Sequence, residues 1–113
     1  MMRCLALDTA VIAKENEIAD ETLYSARAQG INLVYFRHKG KIYVFDARCP
    51  HKSCNLARLG RLEEEFLVCT CHESEFSLAN GMPVSGPARK PLRGFDVVVK
   101  ENEVSIVINE GKA

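Results

Sequence analysis

Residues 31–46 read INLVYFRHKGKIYVFD. Two runs rich in β-branched and aromatic side chains, 31–37 and 41–46, flank His38-Lys39-Gly40, which predicts a hairpin with its turn at 38–40. Similar signals recur on either side. Residues 62–63 and 65–69 predict a second hairpin, and Asn80-Gly81 marks a tight turn. Residues 95–100 and 104–108, joined by Glu101-Asn102-Glu103, predict a third hairpin. Residues 4–7 and 11–13 are expected as edge strands, while 22–29 reads as either a helical turn or a strand. No repeat, low-complexity tract or linker interrupts the chain. The expectation is an all-β fold, a small antiparallel sandwich or partly open barrel, built as a single domain over residues 1–113.

Composition narrows the function. The 113 residues are 47% apolar, enough for one core, and 15 basic residues balance 15 acidic ones. No excess of positive charge is on hand to hold a phosphate backbone, which speaks against nucleic acid. No apolar run approaches the roughly 20 residues of a membrane span. The stretch MMRCLALDTAVIAKENE is too short and too interrupted in its apolar part to predict an export signal. The chain is therefore expected to be soluble, cytoplasmic and monomeric.

Five cysteines and three histidines remain to be explained. The segments 47–60 and 71–79 do not read as strands, and both carry Cys and His. The first contains Cys49-Pro50-His51-Lys52-Ser53-Cys54, and the second begins within Cys69-Thr70-Cys71-His72. Cys49 with His51, and Cys69 with His72, give C-x-H and C-x-x-H, one thiolate and one imidazole per loop. Four-coordinate zinc also accepts two Cys and two His, but it usually groups like with like on one element. Two mixed pairs suit a two-iron cluster better, because one iron can take both thiolates and the other both imidazoles. Spacing favours iron–sulfur and leaves zinc open.

CPHKSC and CTCHES resemble the two boxes of the Rieske iron–sulfur family, C-x-H-x-G-C and C-P-C-H-G-S. Gly86-Pro87-Ala88 resembles the family's Pro loop. The resemblance spans about residues 46–92 and implies a loop-built cluster-binding part there. It implies one 2Fe-2S cluster held by Cys49, His51, Cys69 and His72. It also implies a disulfide between Cys54 and Cys71, as in one branch of the family. Ser74 matches a serine that donates a hydrogen bond to a bridging sulfide. Phe76 stands where high-potential members have a tyrosine that donates to a ligand thiolate. Gly86 and Pro87 shape a cover over the cluster. Ser53 and Glu73 each replace a family glycine, and Cys4 reads as a structural residue in an apolar run.

Charge arithmetic explains the use of such a ligand set. Two ferric ions, two sulfides and two thiolates cancel when both imidazoles are neutral, so adding an electron costs less than in an all-thiolate cluster. Potentials in this class run from roughly −150 to +300 mV. Phe76 and Glu73 point to an intermediate value, one that falls with pH as the imidazoles titrate.

The implied role is a ferredoxin that shuttles one electron between a reductase and an oxygenase or other acceptor. A small electron-transfer subunit of a larger, nitrite-reductase-like enzyme and a structural zinc module are the alternatives. Lys52, where quinol-oxidising members have leucine, argues against quinone chemistry. His38 reads as a solvated turn residue and 63–65 as a solvated acidic run. Arg89-Lys90 reads as surface charge or as a basic docking rim.

Overall fold

A computed structural model of the chain describes residues 8–48, 55–71, 73–86 and 90–108. Among the described residues, ten strands form two antiparallel sheets. The larger contains β1 (Asp8–Lys14), β2 (Tyr24–Ala28), β3 (Ile31–His38), β4 (Lys41–Asp46), β9 (Gly94–Lys100) and β10 (Glu103–Ile108), in the order β1-β10-β9-β4-β3-β2. Its edge strands β1 and β2 approach each other, so the sheet curls into a partly open barrel. The smaller contains β5 (Gly60–Glu63), β6 (Phe66–Cys69), β7 (Ser74–Ser77) and β8 (Pro83–Ser85), in sequence order. A single-turn helix α1 (Leu56–Leu59) leads into it. No helix among the described residues is long and apolar enough to cross a membrane.

The unbroken apolar run of β3 follows from burial on both faces. Leu33 and Tyr35, with Ile42 and Val44 of β4, line the barrel interior beside Val104 and Ile106. Val34 and Phe36, with Phe45 of β4, point the other way and pack on Leu67, Cys69 and Phe76 of the small sheet, together with Leu56 of α1. Alternate residues of one hairpin thus supply both cores, and the second core docks the two sheets.

Several expectations change. The β3–β4 turn is two residues long, with Lys39 at φ 53 and Gly40 at φ 81. Two left-handed residues match the twist of a hairpin, so β3 continues through His38, which pairs with Lys41. The ambiguous segment 22–29 resolves as strand β2, hydrogen-bonded to β3 from Tyr24↔Tyr35 to Ala28↔Ile31. The segment 47–60, expected as loop, contains α1. Asn55 starts it by accepting from Ala57 N–H at 2.9 Å, and Leu56 anchors it in the core. The segment 71–79 contains β7, whose Ser74 and Phe76 are buried while Glu75 and Ser77 are half-exposed. The proposed strand at 4–7 lies outside the described residues.

His38 is buried, not solvated: it is 5% exposed. Its Nδ1 lies 2.5 Å from Glu21 Oε2 and its Nε2 lies 3.3 Å from Glu65 Oε2. Glu65 also accepts from Lys39 Nζ at 2.6 Å. Since Glu65 sits in the β5–β6 turn, this network ties the small sheet to the β3–β4 hairpin. Arg37 next door donates to the carbonyls of Glu15 and Ile18. The two residues together hold the β1–β2 connection against β3.

Candidate metal centre

Both Cys/His loops spring from pinned backbone. The ends of the first are joined by an antiparallel bridge between Arg48 and Asn55. Arg48 N–H donates to Asp46 Oδ1 at 2.9 Å, and Leu56 N–H donates to Ala47 O at 2.6 Å. The second loop closes the β6–β7 hairpin, whose last ladder pair is Cys69↔Ser74. Cys69 also pairs with Gly60 at the head of β5, next to the end of α1. The second loop therefore grows from the strand beside the helix that leaves the first.

Cys69 and Ser74 are both fully buried. A thiol and a hydroxyl thus face each other across a strand pair in an otherwise apolar setting. Cys71 is exposed one residue beyond Thr70. Glu73 is exposed and adopts φ 58, a left-handed backbone that favours glycine, which is what the family's motif has there. Arg61 Nη2 lies 3.7 Å from Glu73 Oε1. Phe76 is fully buried in the same core as Cys69.

Gly86 lies close against this hairpin. Its φ is +93, and a Cβ placed on it would come within 2.5 Å of Ser74 Cα and 2.6 Å of Glu73 O. Backbone meets backbone there because residue 86 has no side chain.

Cys49, His51, Cys54, His72 and Pro87 lie outside the described residues, so Cys69 is the one expected ligand whose surroundings are described. No disulfide links two of the described cysteines. Lys90 is exposed, while Arg89 lies outside the described residues. Two residues carry more structural weight than the sequence predicts. Thr70 stands where the family's second box has proline, and no pattern marks it. His38 reads as solvated in the sequence, since its partners lie 17 and 27 residues away and no local signal announces them.

Residues 8–96 match the model of the Rieske [2Fe-2S] domain. The chain belongs to the Rieske [2Fe-2S] domain family. It is 31% identical over 80 residues to the 3-phenylpropionate/cinnamic acid dioxygenase ferredoxin subunit of Photorhabdus laumondii, covering 70% of this chain and 75% of that protein. It is 34% identical over 74 residues to ferredoxin CarAc of Metapseudomonas resinovorans, covering 66% and 68%. Among solved structures, the ferredoxin of carbazole 1,9a-dioxygenase from Nocardioides aromaticivorans superposes with a TM-score of 0.81 at 22% identity, covering 90% of this chain and 98% of that one. A complex of reduced oxygenase and oxidised ferredoxin in carbazole 1,9a-dioxygenase gives 0.82 at 25% identity, covering 93% and 97%.

The Rieske cofactor is one 2Fe-2S cluster, and the described residues suit it. Cys69 offers a water-shielded soft donor at the root of the loop, Ser74 a buried hydroxyl on the paired strand, and Gly86 a backbone that lies close against Ser74. Membership of the family sets the zinc module aside.

Proposed function

We propose that this protein is a Rieske ferredoxin that carries one electron from a reductase to an oxygenase component. The observation that carries the reading is the family match over residues 8–96, joined to relatives that are ferredoxin subunits of dioxygenase systems. A cluster bound here would take up and give back one electron. Cys49 and Cys69 would hold one iron and His51 and His72 the other, within one domain whose cluster-binding part runs over about 46–92. The β6–β7 ladder holds Cys69 at the loop root, and the inter-sheet core keeps water from its sulfur. Ser74 presents a hydroxyl to the same buried space, whereas Phe76 has no donor to give. Lys90 supplies an exposed positive charge beyond Gly86 that suits an acidic partner.

The Cys54–Cys71 disulfide is part of the same proposal. Its support is that Cys54 and Cys71 match the extra cysteine pair of one branch of the family. Thiol alkylation with and without reductant tests it: one extra pair of labelled cysteines on reduction is expected, and equal labelling refutes it.

The alternative of a permanent subunit calls for one broad apolar face. The large exposed apolar residues among those described are Val11, Leu59, Met82, Val84, Val98 and Val99; Val11 and Val98 flank Ser105 in one row of the large sheet, while Leu59 belongs to α1 and Met82 and Val84 to the β8 end of the small sheet. We therefore favour the mobile carrier. A redox titration followed by EPR tests the carrier role. A reversible one-electron step, with a reduced signal of mixed Cys/His ligation lost in His51→Ala and His72→Ala, is expected. A wild-type signal surviving in both variants would overturn the ligand set, and reduced protein that a dioxygenase component fails to reoxidise would overturn the role.

A further inference from the structure

Thr70 lies between the two cysteines of the second loop and makes an unusual double contact. Its backbone N–H donates to Leu59 O at 2.8 Å, and its Oγ1 donates to the same oxygen at 2.6 Å. Leu59 is the last residue of α1, and a carbonyl at a helix end has no partner within the helix. Both donors of one residue converge on it. Leu59 N–H in turn donates to Asn55 O at 2.8 Å, and Asn55 is bridged to Arg48 across the base of the first loop. An unbroken hydrogen-bonded path therefore runs from the foot of the first loop, through α1, to the residue beside Cys69. Proline, which the family's second box carries at this position, supplies neither donor.

We propose that Thr70 is a positioning residue that clamps the second ligand loop to α1 and so sets its register against the first. The proposal rests on the assignment of Cys49, His51, Cys69 and His72 as ligands. Thr70 touches no iron in this scheme. It acts through Leu59 O, which makes the two loops one mechanical unit. A looser clamp lets the four donors drift apart, which speeds cluster loss and alters the ligand field.

Thr70→Val keeps shape and N–H but removes the hydroxyl, Thr70→Pro removes both donors, and Thr70→Ser keeps both. Each is purified with its cluster, and far-UV circular dichroism checks that the fold is retained. Two readouts follow: the rate of iron transfer to a ferrous chelator after reduction, and the g values of the reduced EPR signal. Loss of one hydrogen bond is expected to speed release roughly two- to tenfold in Thr70→Val. Thr70→Pro should be faster still, both with shifted g values, and Thr70→Ser should match wild type. Unchanged release and g values in Thr70→Val, or failure of Thr70→Ser to restore them, overturns the clamp. If His51→Ala and His72→Ala keep the wild-type spectrum, the ligand assignment falls and takes the clamp with it. Ligand variants that lose the cluster beside Thr70 variants that behave as wild type would remove the clamp alone.

Discussion

Replacing His38 with glutamine should remove a pH-dependent lock between the two sheets. Each ring nitrogen of His38 faces a carboxylate oxygen, Glu21 on one side and Glu65 on the other, with Lys39 beyond Glu65 and the Tyr43 ring nearby. A neutral imidazole donates from one nitrogen, so making both bonds requires the imidazolium. Burial pulls the His38 pKa down. The hydrogen bonds to Glu21 and Glu65, and the charges of both carboxylates, outweigh that pull and leave it above its ordinary value of 6.5. A raised folded pKa gives stability that is complete below the unfolded value and is lost as pH rises through the folded one. In that window the loss approaches about 1.4 kcal/mol per pH unit for one proton. Two charge-assisted bonds are worth about 1.5–3 kcal/mol each when fully buried. Both carboxylates here are half-exposed, at 50% and 51%, and regain water when the ring is lost. The net cost of His38→Gln at pH 6 is then about 2–3 kcal/mol. Urea unfolding of the cluster-loaded protein, followed by far-UV circular dichroism from pH 6 to 9, measures it. With m near 1–3 kcal/mol/M, the wild-type midpoint should fall relative to the variant by at most roughly 0.5–1.4 M per pH unit. Titration of other groups is common to both proteins and cancels in the comparison. Parallel pH profiles for wild type and variant, or an NMR titration placing His38 at or below its ordinary value, would refute the reasoning.

Three further substitutions probe the site. Gly86→Ala would force a Cβ against the Ser74 and Glu73 backbone at a left-handed φ, costing about 2–4 kcal/mol locally; chelator-driven bleaching should accelerate while the circular dichroism of the barrel persists. Glu73→Gly relieves the φ of 58 and gives up only a long, exposed contact with Arg61, so the urea midpoint should rise by the equivalent of about 1 kcal/mol. Phe76→Tyr adds a donor to the core shared with Cys69, and voltammetry should show a higher potential; an unchanged or lower value would mean the hydroxyl finds another partner.

The candidate ligands stand out in the sequence because ligation restricts residue type, and of the four the structure describes Cys69. Only a few side chains bind iron, so C-x-H and C-x-x-H stand out in a chain of any composition. The large sheet was legible for a related reason: strands with buried faces, such as β3, need β-branched and aromatic residues in unbroken supply. What escaped notice is set by geometry that many sequences satisfy. The strand β7 is four residues long, and Ser74-Glu75-Phe76-Ser77 shows a single large apolar side chain. The helix α1 is one turn, recognisable only once Asn55 is known to cap it. His38 resembles any polar residue at a turn until two glutamates from distant segments are folded onto it. Glu73 and Gly86 sit between these cases, since the family motif marks glycine at the first and a glycine is present at the second, but neither states why. At residue 86 the reason is the close approach of its backbone to Ser74 and Glu73 of the β6–β7 hairpin, which leaves no room for a Cβ. A protein of this kind therefore writes its cofactor into residue identity and the enclosure of that cofactor into backbone shape. Substitutions outside the four proposed ligands should accordingly act on how long the cluster is retained more than on whether it is bound.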